Sequence, residues 1–126
     1  MLDASVLIAH FDATDRHHPR ASALLLDVAG EAMGASPITL AEVLVGPARA
    51  GQLDRGTALL HELDVTGLRL PDDAPLRLAV LRAGTGLRLP DCCVLLAAEQ
   101  AQGVVATFDD RLAAAATERG LGVRTS

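Results

Sequence analysis

Gly103-Val104-Val105-Ala106-Thr107-Phe108-Asp109 runs from a helix-ending glycine through a short apolar strand to a carboxylate. A helix pattern follows from Asp109 to Gly120, and Val123 suits a last edge strand. Strand, acid and helix in that order mark the C-terminal end of a strand in an open α/β sheet, where ligands bind. The chain starts the same way: Met1-Leu2-Asp3 ends a strand, and a helix follows through Val6, Leu7, Ile8 and Phe11.

Short β-like runs alternate with longer helical ones along the rest of the chain. That pattern predicts an α/β fold, a mostly parallel central sheet of four to five short strands flanked by helices. Pro19 opens a helix that should bury Ala23, Leu24, Leu26 and Val28 and stop near Gly30. Ala32 to Ala35 is a second strand. Ser36-Pro37 is an N-cap with a first-turn proline. The helix it opens should turn Ile38, Ala41, Leu44 and Val45 inward, with Gly46-Pro47 kinking or breaking it. Residues 52–63 make a helix burying Leu59, Leu60 and Leu63, and Val65 to Leu70 is a strand candidate. Asp72-Asp73 starts a helix through Leu78, Val80 and Leu81. Pro90-Asp91 opens a very apolar helix ending at Gly103.

Composition narrows the function. The 126 residues suit one domain over 1–126, and half are apolar, which argues against disorder. No apolar run reaches the ~18 residues that span a bilayer, and no secretory leader is visible, so no membrane is expected and a cytoplasmic location is the default. The net charge of −5 counts against a protein that coats nucleic acid. All 11 cationic side chains are arginines, so a P-loop or a kinase lysine is excluded. Cys92 and Cys93 are adjacent; they fit buried packing, with a thiolate nucleophile as the alternative. His10, His17, His18 and His61 have no zinc-ligand spacing. Gly84-Thr85-Gly86 follows a helix and lacks the third glycine of a dinucleotide loop.

Four acids remain at the ends of apolar runs: Asp3, Glu42, Asp91 and Asp109. Asp3 and Asp109 fall at the same rim if the strands are parallel. Asp91 lies in the first turn of its helix, and Glu42 about one turn into its own. Singly, Asp3, Asp91 and Asp109 read equally well as helix caps, each worth about 1 kcal/mol. Glu42 reads equally well as part of a solvent stripe with Thr39, Gly46 and Arg49. Together, the four would repel one another unless a hard divalent cation bridged them. Such a site activates water and hydrolyses phosphodiesters. Arg69, Arg77, Arg82 and Arg88 are candidate phosphate contacts, Arg88 foremost.

The order and setting of these acids resemble the PIN-domain ribonucleases, and among them the VapC-type toxins of toxin–antitoxin pairs. The residues that carry the likeness are Asp3-Ala4-Ser5, then Ser36-Pro37-Ile38-Thr39-Leu40-Ala41-Glu42 with Gly46 after it. Pro90-Asp91 before Ala97-Ala98 and Thr107-Phe108-Asp109 complete the set. The resemblance implies a PIN-like domain in which Asp3, Glu42, Asp91 and Asp109 hold Mg²⁺ or Mn²⁺ and cut RNA. Asp110 is a further candidate ligand, and Ser5 and Thr107 orient carboxylates. It also implies a small antitoxin partner, in a homodimer or a toxin–antitoxin hetero-oligomer. Two alternatives stand beside it: a PIN-type RNA-processing nuclease without an antitoxin, and a catalytically weak PIN-like module that binds a partner protein. Only two residues precede Asp3, which predicts a short central strand. Arg111 stands where many family members carry another acid.

Overall fold

Every named strand is three residues long and every strand pairing is parallel. A computed structural model describes residues 1–126. In chain order, α1 is Ala4–Phe11, α2 His18–Asp27, β1 Met33–Ala35, α3 Pro37–Arg49, α4 Leu53–Glu62 and β2 Val65–Gly67. Then come α5 Ala74–Thr85, α6 Leu89–Ala101, β3 Val104–Ala106, α7 Asp110–Glu118 and β4 Gly122–Arg124. β1 pairs with β2 from Met33 opposite Val65, and β3 with β4 from Val104 opposite Gly122. Met1–Asp3 joins the two pairs. The Leu2 N–H donates to the Gly34 carbonyl at 2.8 Å, and the Asp3 N–H to the Ala106 carbonyl at 2.9 Å. The sheet therefore reads β2, β1, Met1–Asp3, β3, β4, and its centre is the short strand end that the sequence predicts. Helices flank it, as expected of an α/β fold with parallel strands.

The core forms two clusters, with helix α6 inside the first of them. Every residue from Cys92 to Ala98 is buried, so this helix is enclosed on all faces. One cluster joins α5, α6, α7 and β3 through Leu81, Leu95, Val105 and Leu112. The other joins α1, α2 and α3 through Leu7, Leu24 and Val43.

Several faces differ from the sequence expectation. In α2, Ala21, Leu24 and Leu25 are buried while Ala23 and Leu26 face out, Leu26 at 78% exposure. The buried set follows the i, i+3, i+4 spacing that one helix face allows. In α3, Thr39 and Val43 turn inward, while Ile38, Ala41 and Val45 are exposed and Leu44 is half-buried. The cause is a buried hydroxyl pair. Ser36 Oγ accepts from the Thr39 N–H at 3.1 Å and lies 3.2 Å from Thr39 Oγ1, so both polar groups are satisfied inside. In α5, Val80 is exposed and Leu81 is buried. β2 stops at Gly67 rather than Leu70. The left-handed turn after α6 is made by Gln102, φ 51°, not by Gly103.

Pro47 does not end α3, which runs on to Arg49. Its ring instead meets α4 at Gly56, where an added Cβ would lie 2.9 Å from Pro47 Cβ. A rigid ring cannot yield there. Gly56→Ala is therefore expected to destabilise the protein by about 1–3 kcal/mol, although alanine is the better helix former. Chemical denaturation checks this, and unchanged stability would show that the two helices can separate.

Candidate active site at the rim of the sheet

Parallel pairing brings the end of Met1–Asp3 beside the end of β3, and a hydroxyl network forms where they meet. Asp3 is buried, and its Oδ2 accepts from Ser5 Oγ and Thr107 Oγ1, both at 2.7 Å. Ser5 Oγ also accepts the Phe108 N–H at 3.1 Å, and Thr107 Oγ1 accepts the Asp109 N–H at 3.0 Å. Two hydroxyls thus fix the Asp3 carboxylate and the turn after β3 together. Both fall on Oδ2. No buried side-chain oxygen lacks a partner, so Oδ1, which takes no hydrogen bond, opens to solvent.

The other acids arrive on helices. Thr39 is buried, and Glu42, three residues on, shares its side of α3 and is half-buried. This excludes the solvent-stripe reading of Glu42. Asp91 lies in the first turn of α6, whose N-cap is Arg88, and makes no capping hydrogen bond. Asp3 precedes α1 without a side-chain cap bond either. Asp109 alone is a cap: its Oδ1 accepts from the N–H groups of Arg111 and Leu112 at 2.9 and 3.1 Å.

Two of the four carboxylates, Glu42 and Asp91, are shifted by their surroundings. Burial, then the charges of Asp3 and Asp91, raise the Glu42 carboxyl above its ordinary pKa, with Arg88 offsetting part. Burial, then Asp3 and Asp109, raise Asp91, with Arg88 and Arg111 offsetting part. Asp110 is exposed and is not among the charges that act on either. Arg88, the foremost candidate for a phosphate contact, is thus among the charges that act on both of these acids. Arg111 joins the site as well, a residue that motif reading treats only as a departure.

Coupling is not convergence. No three of these side chains stand at metal-ligand spacing. The chemistry of the donor set still fits a hard divalent ion: oxygens only, with repulsion that a cation relieves. Asp91, free of hydrogen bonds, and Glu42, on a longer stem, are the side chains with freedom to close the remaining distance. The cysteines take no part. Both are buried, and burial raises both thiols, which keeps them protonated. A cavity of about 540 Å³ lies between Met1, Met33 and Val104 and is lined by none of the four acids.

The sequence model of the PIN domain matches residues 1–118. The chain belongs to the PIN-domain family. PIN domains are generally metal-dependent nucleases, so the family gives this chain a nuclease fold. A search of curated proteins finds no match. No helix of this PIN domain is long and apolar enough to cross a membrane.

Raised carboxyls make the rim a source of instability with a defined pH sign. The folded chain binds these protons more tightly than the unfolded one. The cost is absent below the ordinary carboxylate pKa, grows as pH rises through it, and is complete above the raised values. Asp91→Asn and Glu42→Gln are expected to raise the Tm of chelator-treated protein at neutral pH by a few degrees. That corresponds to roughly 1 kcal/mol or less, because both groups are partly solvated. The gain should vanish at low pH. Asp109→Ala should lower the Tm by the loss of a cap, about 1 kcal/mol. Melting curves across pH check both signs; an Asp91→Asn protein less stable than the wild type would refute the repulsion.

Proposed function

We propose that this PIN domain, spanning residues 1–126, is a metal-dependent endoribonuclease and the toxin of a toxin–antitoxin pair. The carrying observation is the carboxylate group at the rim, in which Asp3 is held by two hydroxyls and Asp91 is raised by burial and then by Asp3 and Asp109. Asp3, Glu42, Asp91 and Asp109 would hold Mg²⁺ or Mn²⁺. When bound, such an ion lowers the pKa of water and stabilises charge on the phosphoryl oxygens. Ser5 and Thr107 keep Asp3 Oδ2 occupied and its Oδ1 turned outward. Arg88 and Arg111 offer guanidinium groups to the phosphodiester beside the acids. Asp109 contributes the oxygen that its capping bonds leave free. The motif order of the family supports a small antitoxin as inhibitor, acting on a homodimer or within a hetero-oligomer. With a net charge of −5, RNA affinity should be modest and salt-sensitive.

Purified protein should cut single-stranded RNA with Mg²⁺ or Mn²⁺ and stop in chelator. Asp91→Asn should abolish cleavage, and Thr107→Val should slow it roughly 10–100-fold by releasing Asp3. Arg88→Ala should weaken substrate or antitoxin binding. Metal-dependent cleavage unchanged in Asp91→Asn would overturn the mechanism. The toxin assignment is tested by growth arrest on expression, relieved by the product of a neighbouring small gene.

One observation favours a second reading, a PIN-like module that mainly binds a protein. The charge of Arg111 acts on Asp91 and partly replaces what a cation would supply. Calorimetry with Mn²⁺ separates the two: binding supports the nuclease, and none by folded protein supports the module.

A further inference from the structure

Phe108 stands between Thr107 and Asp109, and its N–H is held by Ser5 Oγ, so it belongs to the turn that carries the candidate site. It is half-buried and packs against the core cluster that joins α1, α2 and α3. From α2, the Arg20 guanidinium carbon lies 4.4 Å from the ring centroid. The His17 ring completes the group, 5.5 Å away and tilted by 36°. The Arg16 Nε–H donates to His17 Nε2 at 3.2 Å, and Asp15 accepts the His17 backbone N–H at 2.7 Å.

Arg20 is exposed, and the ion pairs of the structure are formed by Arg69, Arg77, Arg119 and Arg124. Its guanidinium is therefore a flat cation seated over the Phe108 ring, and its N–H groups make no ion pair or hydrogen bond within the chain. Aromatic residues make up only 2% of the chain. One of the few stands beside the carboxylates, under an arginine. Unpaired bases bind by stacking on such planes, aromatic or guanidinium, because every base has a π-face.

We propose that Arg20, supported by Phe108 and His17, is a stacking subsite for an unpaired nucleobase next to the phosphodiester at the rim. This rests on the nuclease reading above and names how its substrate is gripped. An acidic protein has little general attraction for the RNA backbone. Stacking is then the term that must hold single strands, and duplex RNA, with its bases closed, gains nothing from it.

The test is binding in chelator, so that nothing is cut. The probes are single-stranded oligoadenylate about ten nucleotides long and an abasic oligomer of equal length. Wild-type protein should bind the adenylate roughly tenfold or more tightly than the abasic chain. Arg20→Lys keeps the charge and removes the plane; it should bring that ratio close to one while leaving abasic binding unchanged. Phe108→Leu should do the same, and if it fails to fold, Arg20→Lys decides alone. A ratio of one in the wild type, or an unchanged ratio in Arg20→Lys, overturns the subsite. If the wild type cuts RNA with Mn²⁺ but shows no base preference, only the subsite falls. If it neither cuts nor binds RNA, the nuclease reading falls with it.

Discussion

The Asp3 carboxylate, held by the hydroxyls of Ser5 and Thr107, is the interaction on which the rim depends. Asp3 ends the central strand, Ser5 lies in the first turn of α1, and Thr107 follows β3. A buried carboxylate costs several kcal/mol unless hydrogen bonds compensate, so the three must assemble together. Once they do, the backbone N–H groups of Phe108 and Asp109 are captured by the same hydroxyls. Position and charge at the rim are thereby set by one compact network, and α3 and α6 deliver the remaining acids to it.

The sequence made the rim legible because its signal is local. An acid after a short apolar run and before a helix keeps that meaning wherever the run sits in the sheet. The same holds for Ser36 before Pro37, which caps α3 as its spacing implies. Helix faces were less legible. Ile38, Ala41 and Val45 are apolar, yet the helix turns Thr39 and Val43 inward, because a hydroxyl pair that satisfies itself can be buried as readily as a methyl group. The approach of Pro47 to Gly56, which lets α3 continue, joins two helices and leaves no mark in either one alone. Arg111 at Asp91 and Arg20 over Phe108 escape motif reading for the same reason.

Repulsion and alignment oppose each other at this rim. Asp3 is locked, whereas Glu42 and Asp91 are raised and no trio closes to ligand spacing. Arg88 and Arg111 temper the repulsion without removing it. One fixed carboxylate with looser neighbours lets a site tolerate its own charge and still gather around a ligand.

Asp109 carries a structural duty that Asp91 does not share. It caps α7 with two hydrogen bonds, whereas Asp91 caps nothing. The two acids are therefore exposed to different selection. In a lineage that abandoned the chemistry, folding alone would preserve Asp109, while Asp91 would be free to drift and its loss would relieve strain. Position 91, rather than 109, is where the history of activity in such proteins would be written.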